Sequence, residues 1–129
     1  MVSHDNRHRG PFWKAFSFAI AGILSAIKTE RNLRFHLVCS CLVLFLSYFF
    51  SISRTEWVLI LLLIGGMIAL ELLNTAVERV VDLVTLDDHP LAKQAKDLAA
   101  GAVLVYAILS VIAGMFIFLP YVIKFFESL

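Results

Sequence analysis

Residues 98–123 form an uninterrupted run of 26 residues with no formal charge. A helix of about 20 apolar residues crosses a bilayer core about 30 Å thick, so this run is long enough to span one. The rest of the chain agrees. Of 129 residues, 60% are hydrophobic and 16% are charged, with a mean hydropathy of +0.88. Soluble domains are about 45–50% apolar and about 25% charged. A chain this short cannot hide such an apolar excess from water. A soluble globule, a disordered segment and a secreted disulfide scaffold are therefore excluded. The expectation is an all-α integral membrane protein forming one domain over residues 1–129.

Two further runs complete the bundle. One covers residues 35–52. The other starts at Trp57, stays apolar to Leu70 and continues with helical periodicity through Glu71, Asn74, Glu78 and Asp82 to residue 84. The third helix is expected over residues 90–123, with Pro90 at its first position. Ser51–Glu56 reads as a short polar turn joining the first two spans into a hairpin. Ahead of them, residues 1–10 form a polar tail and residues 11–34 an amphipathic helix. On that helix Phe12, Trp13, Phe16, Ile20, Ile23, Leu24 and Ile27 share an arc of about 120°, opposite Lys14, Ser17, Ser25 and Lys28. A basic helix with such a stripe suits a membrane surface.

Charge sets the orientation. Nine Lys and Arg residues fall in segments 1–34 and 74–97; only Arg54 and Lys124 fall on the other side. The positive-inside rule places the N-terminus and residues 74–97 in the cytoplasm and the C-terminus outside. No cleavable signal sequence is evident. Cys39 and Cys41 are two residues apart on a helix and point to different faces, which disfavours a disulfide. Small residues at Gly65, Gly66 and Ala69, and at residues 99–102, permit close helix approach.

The chemistry is concentrated at the inner end of the second span. With Glu71 at 0°, Asn74, Glu78 and Asp82 fall within an arc of about 80°. Glu71 is about 21 Å along the axis from Trp57, still at membrane depth. A carboxylate there is costly and marks a functional site. A single acid could snorkel or pair with lysine. Three acids and an amide on one face, with no Lys or Arg in the same arc, need a cation or a shared proton. Hard oxygen ligands at the cytoplasmic edge suggest magnesium and, with it, a nucleotide. Glu30 falls on the extrapolated apolar stripe, so it is expected to face the bundle, four residues before Arg34. Lys96 and Asp97 sit in the first turns of the third helix, where free N–H groups suit a phosphate. Taken alone, Lys93, Lys96 and Asp97 read more simply as an interfacial charge run.

These residues carry a resemblance. Glu30, Arg31, Asn32, Arg34 and His36, the run Glu71-Leu72-Leu73-Asn74-Thr75-Ala76-Val77-Glu78, Asp82, and His89-Pro90-Leu91-Ala92-Lys93 with Ala95-Lys96-Asp97 and Ala99-Ala100-Gly101-Ala102-Val103 follow in order. Over residues 11–123 the chain resembles the small prokaryotic diacylglycerol kinase family, and within it the Gram-positive undecaprenol kinase branch. The resemblance implies a homotrimer with a surface helix and three transmembrane helices per subunit, and active sites between subunits. It implies ATP-dependent phosphorylation of a lipid alcohol in the cell membrane. Glu71 is implied as the catalytic base, and Glu30 and Glu78 as magnesium ligands. The nucleotide is implied to meet Phe18, Glu30, Asn74, Glu78, Asp82, Asp87, Asp88, His89, Lys96 and Asp97. Arg34 is expected beside Glu71 at the lipid acceptor. The basic residue the family carries near the start is not cleanly matched, since Pro11 takes its place and Arg9 lies only close by.

The residues themselves allow the same mechanism. A lipid alcohol at the bilayer edge reaches Glu71 sideways, and partial burial makes that carboxylate a better base. Glu30 and Glu78 would hold magnesium, Lys96 would offset phosphate charge, and transfer would be in line. Neither a GxxxxGK[ST] loop nor a protein-kinase signature is present. Diacylglycerol is the alternative acceptor. A small helical channel or assembly chaperone, lining a pore with the same acids, is the alternative of another class.

Overall fold

The computed structural model describes residues 10–129. Residues 1–9, most of the expected polar tail and with them Arg9, lie outside the described residues. Four helices and no strand are present among the described residues: α1 (Phe12–Thr29), α2 (Arg31–Phe49), α3 (Arg54–Val84) and α4 (Pro90–Glu127). The last three are long and apolar enough to cross a membrane.

Their boundaries follow from local chemistry. α1 stops at Thr29 rather than continuing to residue 34. Glu30 is extended (φ −95°, ψ 114°), and α2 begins at Arg31, four residues before the expected start. The joint is held by polar contacts. The Glu30 N–H still donates to the Ala26 carbonyl, and the Arg34 guanidinium donates to the Lys28 carbonyl at 3.0 Å. One of the free carbonyls at the end of α1 is thereby satisfied. α2 ends at Phe49 rather than residue 52, because Ser51 takes a positive φ of 50° and turns the chain. α3 starts at Arg54, ahead of Trp57, because Ser53 and Glu56 form a reciprocal capping box. α4 starts at Pro90 and runs to Glu127, past residue 123. Pro120 lies inside it without ending it.

Packing differs between the two ends of the bundle. At the end holding the α2–α3 turn, Ile52, Ile60 and Ile117 are buried together with Phe50, Trp57 and Tyr121 around them. The Tyr121 hydroxyl donates to Glu56 at 2.6 Å, which ties α4 to the start of α3. At the opposite end Glu71, Asn74 and Thr75 are buried, with Ala26 and Leu33 as the apolar groups enclosed there. Between the ends, α3 and α4 approach closely at Gly66, where the Tyr106 hydroxyl donates to the Leu62 carbonyl at 3.0 Å.

Few apolar side chains are buried among the described residues, and large ones cover the outside. This surface suits lipid, which imposes no penalty on exposed Leu or Phe. The α1 stripe follows the same rule. Phe12, Trp13, Phe16, Ile20 and Leu24 point away from the bundle, and Ala26 is the buried contact.

Candidate active site

α3 inverts the usual pattern of an amphipathic helix at its inner end. Leu73, Val80 and Leu83 are exposed, while Glu71 (3% exposed), Asn74 and Thr75 are enclosed. A buried carboxylate needs partners, because desolvation of the charged form is expensive. Glu71 finds one on α2: His36 Nε2 lies 3.2 Å from its Oε1. Glu71 also lies within the electrostatic reach of Glu78 and Glu30. Asn74 donates from Nδ2 to Glu78 Oε1 at 3.2 Å, one helical turn away. Its other end, Oδ1, is buried without a hydrogen-bond partner. Such an atom normally finds one, so a ligand, ion or water is wanted at that point.

Glu30 reaches this region from the joint between α1 and α2. It is partly exposed rather than turned into the bundle, because the helix has already ended and the 100° periodicity no longer fixes its direction. Its Oε1 lies 2.9 Å from the Thr29 hydroxyl and 3.7 Å from the Arg79 guanidinium. Arg79 also donates to Thr29 Oγ1 at 2.9 Å and to Ser25 Oγ at 3.4 Å. A single α3 side chain thus fastens the end of α1 over the acids.

A second cluster lies where α3 hands over to α4. Lys96 Nζ is 2.6 Å from Asp82 Oδ1, joining the two helices, and it senses the charge of Glu78. Lys93 pairs with Asp97 at 2.5 Å, one turn apart. In the connecting turn the Asp87 N–H donates to Thr85 Oγ1 at 3.1 Å. His89 accepts from the Leu91 N–H at 3.2 Å and so caps α4. Asp87, Asp88 and His89 are exposed. Phe18 stands half-exposed on α1, and Arg34 is occupied by the Lys28 carbonyl described above.

The structure therefore brings Glu71, Asn74 and Glu78 together with Glu30 at their edge, and Asp82 with Lys96. It supplies what the α3 arc lacks: His36 from α2 and Lys96 from α4 answer Glu71 and Asp82, while Arg79, off that arc, answers Glu30. His36 and Arg79 are the partners that helical spacing within α3 does not reveal. His36 had one signal of its own, as an ionisable residue inside an apolar run. Among the described residues no three His, Cys, Asp or Glu side chains form a closed metal cage.

A carboxylate cluster around buried Glu71, rimmed by ion pairs and carried on helices long and apolar enough to cross a membrane, is the candidate site. Comparison with known proteins makes the class specific. The family profile described as prokaryotic diacylglycerol kinase matches residues 17–118. Undecaprenol kinase of Bacillus subtilis (strain 168) is 52% identical over 121 residues, covering 93% of this chain and 98% of that protein. Diacylglycerol kinase of Synechocystis is 42% identical over 107 residues, 82% of this chain and 61% of that one. Diacylglycerol kinase of Pseudomonas aeruginosa is 33% identical over 88 residues, 68% of this chain and 72% of that one. The chain belongs to the prokaryotic diacylglycerol kinase family and is a membrane-integral lipid kinase. A channel or chaperone role is left without support.

Proposed function

We propose that the chain transfers the γ-phosphate of ATP to undecaprenol, giving undecaprenyl phosphate and ADP, in a bacterial cell membrane. The observation that carries this reading is the 52% identity to an undecaprenol kinase along 93% of the chain, with the glutamate-rich face of α3 at its centre. Glu71 is the general base. Its burial beside exposed Leu73 suits a hydroxyl arriving sideways from the bilayer, while Glu78 and the α3–α4 turn suit a nucleotide arriving from water. The acceptor oxygen attacks the γ-phosphorus as its proton passes to Glu71. The bond from the γ-phosphorus to the β,γ-bridging oxygen breaks, and ADP departs.

Magnesium fits the donor set. Glu78 and Glu30 offer hard carboxylate oxygens, and the unpartnered Asn74 Oδ1 offers another oxygen beside Glu78. Magnesium needs only one or two carboxylates and completes its shell with phosphate and water, which this donor set would allow. When bound, it supplies charge neutralisation on the β- and γ-phosphates. Asp82, Lys96 and Asp97, with Asp87, Asp88 and His89 in the turn, flank the nucleotide, and Phe18 of α1 contacts its base side. Lys96 exchanges its Asp82 contact for phosphate, and Arg34 lies near the acceptor.

The functional unit is a homotrimer with sites between subunits. Its N-terminus and the α3–α4 turn face the cytoplasm, and its C-terminus faces outward; the nine-to-two distribution of basic residues supports this orientation. The test is phosphate transfer from labelled ATP in mixed micelles, with undecaprenol and diacylglycerol compared. A higher kcat/KM for undecaprenol is expected. A strong preference for diacylglycerol, the acceptor named for the Synechocystis and Pseudomonas relatives, overturns the assignment.

A further inference from the structure

We infer that His36 is the positioning residue of the base, fixing one oxygen of Glu71 so that the other is presented to the lipid hydroxyl. The inference rests on the reading of Glu71 as proton acceptor. Three observations carry it. First, Glu71 is almost fully buried, and its Oε1 lies 3.2 Å from His36 Nε2 on a neighbouring helix. A carboxylate has two oxygens and about four acceptor positions. One donor fixes its rotation and leaves the second oxygen for the substrate.

Second, the two groups come from different elements: His36 from the first turns of α2, and Glu71 from the middle of α3. Holding a base within a few tenths of an ångström needs a support outside its own helix, since one flexible Glu side chain samples several rotamers. Third, His36 also lines a cleft of about 470 Å³ between α2, α3 and α4, bounded mostly by apolar groups such as Val43, Ile60, Met67 and Phe118, while Ser40 and Ser110 in its wall donate their hydroxyls to the carbonyls of His36 and Tyr106. Met67 is one helical turn from Glu71 on the same face. His36 is therefore the ionisable side chain that connects this largely apolar wall to the base. Without that support the carboxylate would be free to leave the rotamer that faces a lipid-borne hydroxyl.

The experiment compares His36→Ala and His36→Gln in the full-length protein in micelles. Glutamine places an amide N–H near the position of Nε2 and serves as the conservative rescue. His36→Ala is expected to lower kcat by about 10- to 100-fold with the KM for ATP changed less than about twofold, since a misplacement of about 1 Å is enough for such a loss. His36→Gln is expected to recover most of it. Labelling of Glu71 by dicyclohexylcarbodiimide, read by mass spectrometry, gives an independent readout. It should accelerate in His36→Ala and return toward the wild-type rate in His36→Gln. Equal kcat and equal labelling in all three proteins overturn the inference, as does a glutamine variant no better than alanine in both measurements. If the wild type phosphorylates neither lipid while labelling still depends on His36, the acceptor assignment fails and the pairing stands.

Discussion

Glu71 and Glu78 lie seven residues apart on one face of α3, and their different surroundings suit the proposed roles of base and metal ligand. Glu71 is sealed and paired with His36; Glu78 is partly open and bonded to Asn74. Glu71→Gln keeps the shape and removes the base, so turnover should fall at least about 100-fold, the usual scale for general-base loss. Size-exclusion chromatography should show the wild-type oligomer, and unchanged turnover would remove Glu71 from the mechanism. Glu78→Gln should act through the metal instead. The magnesium concentration giving half-maximal rate should rise, and high magnesium should restore much of the activity. At this scale much was legible in the sequence, because helical spacing alone collects Glu71, Asn74, Glu78 and Asp82 on one arc. The pairings were not: Glu30, His36 and Lys96 stand out as residues, but they come to α3 from other elements, and no periodicity within one helix encodes which side chain each one meets.

The elements show where boundary signals are strong and where they are silent. Pro90 opens α4 as its chemistry demands, and His89 caps it. The joint at Glu30 carries neither Gly nor Pro. It is made by an extended glutamate with Arg34 and Arg79 gripping the end of α1, so only the folded chain reveals it. α3 is defined at its N-terminal end by Ser53 and Glu56. Ser53→Ala should cost about 1 kcal/mol, the usual worth of such a cap. It should lower the thermal midpoint in micelles with kcat unchanged, since the site lies at the other end. Gly66 is the sharper probe of packing. A Cβ there would clash with the Tyr106 hydroxyl, so Gly66→Ala must displace Tyr106 and its bond to Leu62. Overpacking of this kind costs about 1–3 kcal/mol. The expected result is a lower thermal midpoint; a midpoint equal to the wild type would mean that α3 and α4 can separate at no cost.

For the whole molecule, an apolar exterior combined with a polar inner end makes the bilayer part of the structure. One subunit buries few apolar side chains among the described residues, and the Asp87–His89 turn stands open. The proposed trimer, with its sites between subunits, would cover that turn, and chemical cross-linking in membranes should give a ladder ending at three. Cross-linking that ends at two would exclude the proposed trimer.

α3 has 31 residues and α4 has 38, so they extend about 46 Å and about 57 Å. Both overshoot a hydrocarbon core of about 30 Å, and the acidic face of α3 lies where the overshoot begins. The waterline across these helices is therefore an adjustable coordinate, set by the length of the surrounding acyl chains and by helix tilt. Lipids that are too long would draw Glu78 and Asp82 toward hydrocarbon, and lipids that are too short would lift Glu71 away from the depth of its acceptor. Turnover in vesicles of graded chain length should pass through a maximum, and the enzyme would in effect gauge the thickness of the membrane it serves.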